Sequence, residues 1–190
     1  MSTNRPDERK ILEGNLREAF GRVVYAHKTH EKAREIESSR VVGVKWANII
    51  LTTLTSGTLL STVITNSRAL LYTSAALAAA TLAFVIFQLS FDPEKAAEGH
   101  SKAAKDLWFM RELYINLLTD LRSGLDVGDA SQRRDELTTQ LRDVYDRAPN
   151  TTSKAYKAGG KALKVNEDMT FSAGEIDKFL PSELHADGEG

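Results

Sequence analysis

Few residues in this chain have types and spacings suited to chemistry. His27-x-x-His30-Glu31 would bring two imidazoles and a carboxylate near one helical face, a set able to hold a divalent metal. It lacks the spacing of zinc-protease motifs and sits among polar residues, so a solvated helix face is the expectation. Gly159-Gly160-Lys161-Ala162 is reminiscent of a phosphate loop, but the first glycine and the Ser/Thr of GxxxxGK[ST] are missing. His100 lies on a heptad seam, where a packed or hydrogen-bonded role is expected. There is no cysteine, hence no thiol nucleophile, disulfide or Cys-based zinc site. With no Ser-His-Asp order, paired-carboxylate cleft or Rossmann turn, neither an enzyme, a cofactor nor a metal is expected. Lys154, Lys157, Lys161 and Lys164 recur at steps of three, four and three, with no acid between Asp146 and Glu167. If helical they form a basic stripe for an anionic surface, either lipid headgroups or a partner's acidic face. Because Gly159 and Gly160 disfavour a helix, a solvated linker competes equally.

The elements that must position these residues are organised around Trp46–Phe91. WANIILTTLTSGTLLSTVI and ALLYTSAALAAATLAFVIFQLSF carry no Asp, Glu, Lys or Arg, and Arg68 is the one charge between them. A helix of about 20 residues spans a hydrocarbon core of about 30 Å. The TNSR connection is short enough only for a tight antiparallel hairpin. Helices are expected because unpaired backbone groups are too costly in lipid. Buried helices of a soluble bundle are the alternative, and the chain's mean hydropathy of -0.31 permits them. Two charge-free stretches of this length in tandem favour the membrane.

Lys28, Lys32, Arg34, Arg40 and Lys45 precede the first span, and Lys95, Lys102 and Lys105 follow the second. This asymmetry puts both termini in the cytoplasm. MSTNRPDERK does not read as a signal peptide, since no apolar core follows it. The net charge of -1 gives no reason to expect direct nucleic-acid binding.

The expected fold is an all-α membrane protein. Residues 1–45 form an N-terminal cytosolic helix with a stripe of Leu12, Leu16, Ala19, Val23 and Ala26, beyond which charge lies on every face. Residues 46–91 form the transmembrane hairpin. Residues 92–148 form a cytosolic stalk, opened by Asp92-Pro93-Glu94 as N-cap and first turn. Ala97, His100, Ala104, Leu107, Arg111, Tyr114, Leu118 and Leu121 make its heptad seam, a candidate oligomer contact that can also pair with the N-terminal helix. A further amphipathic helix over 131–147 turns Leu137, Leu141, Val144 and Tyr145 inward. Residues 149–190 are read as a basic linker and a short helix capped by Ser172 and Glu175, with HADGEG disordered.

On the first span, Asn48, Thr52, Thr55, Leu59 and Thr62 follow steps of four and three. This is a candidate pore-facing stripe, with Leu59 as a hydrophobic constriction. The alternative is that the hydroxyls bond their own helix carbonyls. The alanines of the second span offer close helix contact.

Trp46, the F-x-P-E-K-A-x-x-x-H run at Phe91–His100 and R-E-L-Y-x-x-L-L-T-D at Arg111–Asp120 resemble a bacterial family. It is the SMODS and SLOG-associating two-transmembrane effector domains, abbreviated SLATT. The tail ALKVNEDMTFSAGEIDKFLP is similar to subfamily five. The resemblance implies a membrane effector of an anti-phage conflict system in the bacterial inner membrane. Such an effector acts with membrane lipid as a homo-oligomer that forms a pore or disrupts the membrane. It is triggered by a cytosolic partner protein or a nucleotide-linked signal. A non-conducting two-pass anchor that scaffolds a cytosolic partner is the competing expectation.

Overall fold

The computed structural model describes residues 5–172, 174–181 and 185. Helix α1 runs unbroken over Arg5–Thr65, 61 residues or about 90 Å. The N-terminal cytosolic helix and the first span are therefore one rod, with no backbone boundary near Lys45. Asn66, at a φ of 49°, reverses the chain. Its short polar side chain tolerates this left-handed conformation better than a bulky residue would. Helix α2 (Arg68–Ser90) then returns along α1.

At Phe91 and Asp92 the helix breaks and α3 (Pro93–Arg122) begins. Asp92 accepts the Lys95 amide at 3.0 Å, and Pro93 occupies the first turn, where its missing N–H costs nothing. Helix α3 continues down the cytosolic part of α1, so α1 pairs with α2 in its second half and with α3 in its first.

The core lies between α1 and α3. Leu12, Leu16, Ala19 and Val23 meet Leu107, Met110, Tyr114, Leu117 and Leu121, all buried. Most of the α3 heptad seam is buried within the chain: His100, Ala104, Leu107, Tyr114 and Leu121 are buried, and Ala97, Arg111 and Leu118 are half-buried. Helix α4 (Val127–Arg147) starts four residues earlier than expected, because Asp126 caps the Gly128 amide at 2.7 Å. Ala130, Leu137 and Val144 pack inward, whereas Tyr145 is exposed rather than inward. Arg9 fastens the far end by donating to the Leu121 and Leu125 carbonyls.

After Pro149 the chain is helical, not a linker. Helix α5 (Ser153–Lys164) is capped by Thr152, which accepts the Ala155 amide at 3.2 Å. The two glycines set its packing rather than breaking it. A Cβ at Gly159 would sit 3.1 Å from the Thr29 backbone, and one at Gly160 would overlap the Tyr25 hydroxyl. Their helix-propensity cost, about 1 kcal/mol each, is offset by close contact with α1. Gly159→Val is expected to lower stability by roughly 1–3 kcal/mol through overpacking. Gly14→Val, where a Cβ meets nothing within 4 Å, should cost less. Equal melting shifts for the two variants would contradict this packing.

Beyond α5, Asp168 pairs with Lys28 at 3.0 Å, tying the tail back to α1. Ser172 donates to Glu175 from both its amide and its hydroxyl ahead of a 3-10 turn, Ile176–Phe179. The expected disorder of HADGEG falls, apart from His185, outside the described residues.

Candidate functional site: the membrane hairpin and the histidines below it

Both spans are apolar enough to cross a bilayer, and almost none of their residues is buried within the chain. Large side chains such as Ile50, Leu60, Leu82 and Ile86 are exposed, as a lipid-facing surface requires. The two spans meet through polar groups. Asn48 Nδ2 donates to Gln88 Oε1 at 2.8 Å, and Gln88 Nε2 donates back to Asn48 Oδ1 at 2.9 Å. One helical stretch further along, the Thr55 and Thr81 hydroxyls lie 3.3 Å apart, and Ser74 is buried nearer the tip. Interhelical side-chain bonds of this kind contribute on the order of 1 kcal/mol in a bilayer.

This contact divides the stripe read on the first span. Asn48, Thr55 and Thr62 are half-buried, Asn48 bonded across to α2 and Thr55 in hydroxyl contact with it, while Thr52 and Leu59 remain exposed. Most hydroxyls also bond their own helix. Thr53, Thr55, Thr58, Ser61, Thr62 and Thr65 each donate to the carbonyl four residues earlier, so their polarity is satisfied without water. Gln88, Thr81 and Ser74 were missed in the sequence. Their signal was available, since a helix running antiparallel to Asn48 needs a polar partner near its own cytosolic end.

Below the membrane the polar stretch HKTHEKAREIESSR is not solvated on every face. His27, Thr29, His30 and Ala33 are buried against α3 and α5. His30 Nδ1 faces His100 Nδ1 at 3.0 Å, and the rings are tilted with centroids 5.2 Å apart. One of these nitrogens must donate and the other accept, so the bond exists only while one imidazole is neutral. His27 Nδ1 donates to the Ala104 carbonyl at 2.8 Å, turning its Nε2 toward Glu31 at 3.7 Å. His27 and His30 therefore address different partners. Among the described residues no group of three or more His, Cys, Asp or Glu is placed to hold a metal.

Burial, reinforced by the neighbouring His100 and His27, holds His30 down at about 4. Burial also lowers His100, opposed by the Glu37 carboxylate. Glu31 is disfavoured by burial, but the Lys28 hydrogen bond and nearby cations prevail and keep it below the usual carboxylate range. Lys28 is likewise opposed by burial, yet Glu31 and Asp168 raise it. The result is a His30–His100 pair whose charged forms burial disfavours, beside a small ionised network. It is suited to packing α1 onto α3, not to proton transfer with a substrate.

The lysine stripe is on the outer face of α5. Lys154, Lys157, Lys161 and Lys164 are exposed while Ala155, Gly159, Gly160 and Ala162 are buried. Lys164 Nζ also lies 5.8 Å from the Tyr25 ring centroid. Helix α5 meets α1 at Thr29 and Tyr25, which stand about 25 and about 32 Å along α1 from Trp46. Both exceed a Debye length of about 8 Å. The stripe lies on the face of α5 turned away from α1.

A family model described as SMODS and SLOG-associating 2TM effector domain family 4 matches residues 12–175. The matching model is numbered four, whereas the tail suggested subfamily five. No curated protein and no solved structure matches the chain.

Proposed function

The chain belongs to the SLATT family and is a two-pass, membrane-associated effector of antiviral defence with cytoplasmic termini, and we propose that it breaches the inner membrane as an oligomer. The observation that supports this reading is the exposure of both apolar helices in the single chain. One hairpin cannot enclose water, so a conducting path needs several copies side by side. Thr52 and Leu59 are the part of the polar stripe left free for such a ring, with Leu59 as the constriction. A signal received by the cytosolic body would reach the membrane through α1, which passes between them without a break. The trigger is a cytosolic partner or a nucleotide-linked signal, and the chain performs no catalysis of its own.

The non-conducting scaffold is favoured by one observation. The reciprocal Asn48–Gln88 bonds and the back-bonded hydroxyls satisfy the spans without water. Ion flux in proteoliposomes separates the two. A conducting protein should show leak raised several-fold by Leu59→Ser and current reduced by Thr52→Val. Absence of flux in the parent and both variants, with normal insertion, leaves the scaffold.

A further inference from the structure

We propose that the cavity at the junction of the hairpin and the cytosolic body binds one inner-leaflet phospholipid bearing a primary-ammonium headgroup, phosphatidylethanolamine in chemistry. The inference rests on the membrane placement of the hairpin and not on conduction.

The cavity, of about 620 Å³, lies where α1 passes the α2–α3 break. Two sequence features create it. Phe91 and Asp92 leave helical geometry, so α3 starts offset from α2. Opposite them, Gly43 presents no side chain, and a Cβ there would meet nothing within 4 Å. The space runs from Phe84, one helical turn deeper than Gln88, to residues just cytosolic of Trp46, spanning the level where the hydrocarbon gives way to headgroups.

The lining is graded along the membrane normal. Phe87 and Phe91, with ring centroids 4.8 Å apart, form the wall on the hydrocarbon side. Glu37, Arg40 and Asp92 form the cytosolic rim. From Glu37 to Val44 the helix rises about 10 Å, comparable with the interfacial layer of one leaflet. An acyl chain would lie against the rings, with its headgroup at the rim.

The rim charge selects the headgroup. Arg40 pairs with Glu37 at 2.6 Å, and the Glu37 side chain is only 12% exposed. Asp92 adds a second carboxylate, and one of its oxygens already caps α3. A rim with two acids and one guanidinium repels a purely anionic lipid. It suits a zwitterion whose phosphate meets Arg40 and whose ammonium meets Glu37 and Asp92, as charge-assisted hydrogen bonds require. A second copy of the chain is the competing occupant. It would have to bring its own ammonium or guanidinium to that rim.

The test uses the full chain in mild detergent, titrated with phosphatidylethanolamine or phosphatidylglycerol of identical acyl chains. Retained lipid is counted by native mass spectrometry. The expected result is one phosphatidylethanolamine per chain, held about fivefold or more over phosphatidylglycerol. Glycerophosphoethanolamine, which lacks acyl chains, should not be retained. Arg40→Gln and Glu37→Gln should each weaken retention several-fold. Gly43→Leu, which fills the space and improves helix propensity, should abolish it with helicity unchanged. Equal retention of both lipids, or retention indifferent to Gly43→Leu, would mean an unselective lipid annulus and overturn the proposal. A Gly43→Leu variant that alters oligomer size while leaving lipid retention intact would overturn it too, in favour of a second copy.

Discussion

Leu107→Asp should unfold the cytosolic body while leaving the hairpin inserted. Leu107 is fully buried in the one continuous core that also holds Leu16, Val23 and Tyr114. Removing the leucine forfeits about 2–5 kcal/mol of burial and packing. Placing a carboxylate there without a cation adds several kcal/mol more. The sum approaches the whole stability of an ordinary domain, about 5–15 kcal/mol. Circular dichroism in detergent should show partial loss of helix, with Trp108 on the same helix reporting the change. Leu118→Asp, at a half-buried position, should cost clearly less. The pair of variants also decides what the heptad seam is for. If Leu107→Asp melts like the parent and only breaks up crosslinked oligomers, the seam serves between chains and the intramolecular core described above is wrong.

The seam shows how far the sequence carried the fold. Its steps of three and four announced a partner but could not say whether that partner lay in the same chain. Both N-terminal helix and stalk point toward the cytoplasm from adjacent ends of one hairpin, so the nearest stripe is Leu12–Val23 of the same molecule. That proximity, more than affinity, decides the pairing. The two spans, the turn at Asn66 and the Asp92-Pro93 start of α3 were legible because each rests on local chemistry. The continuous helix leading from the N-terminal stripe down to the membrane was legible as well, because nothing in the polar juxtamembrane segment stops a helix.

Two features escaped because local rules pointed the wrong way. Gly159-Gly160 is a poor helix former in isolation, yet the close approach of α5 to Thr29 and Tyr25 is available only to glycine. His27 and His30 read as surface residues by type. The clue was positional: stepping on from Ala26 by four and then three residues lands on His30 and Ala33, both buried. His100 falls on the facing seam of α3. Joining the two stripes would have placed the imidazoles against each other. In the membrane the stripe Asn48–Thr62 was legible as a polar face. Its division between α2 and lipid depends on Gln88 and Thr81, forty and twenty-six residues away.

The buried imidazoles should make the cytosolic body lose stability on mild acidification, before its carboxylates titrate. His30 is held at about 4 in the folded chain against an ordinary value of 6.5. The unfolded chain therefore binds a proton first as pH falls. Stability is complete above pH 6.5 and is lost progressively as pH drops toward 4. His100 is displaced in the same direction and adds to the slope, while Glu37 beside it works against the loss. Glu13 and Glu31, held below their ordinary 4.5, lose their contributions only under more acid conditions. The window from pH 6.5 to 4.5 thus isolates the histidines. A displacement of this size corresponds to on the order of 2 kcal/mol after allowance for partial solvation. Burial is the leading cause, and the pair itself adds to it. A second proton would put two donors nose to nose across the 3.0 Å Nδ1–Nδ1 contact. Melting the detergent-solubilised protein at intervals through that window should show a falling midpoint in the parent and a much flatter line in His30→Asn. A parent midpoint that stays level from pH 6.5 to 4.5, or a His30→Asn slope equal to the parent's, would mean that this pair does not couple protonation to the docking of α3 on α1.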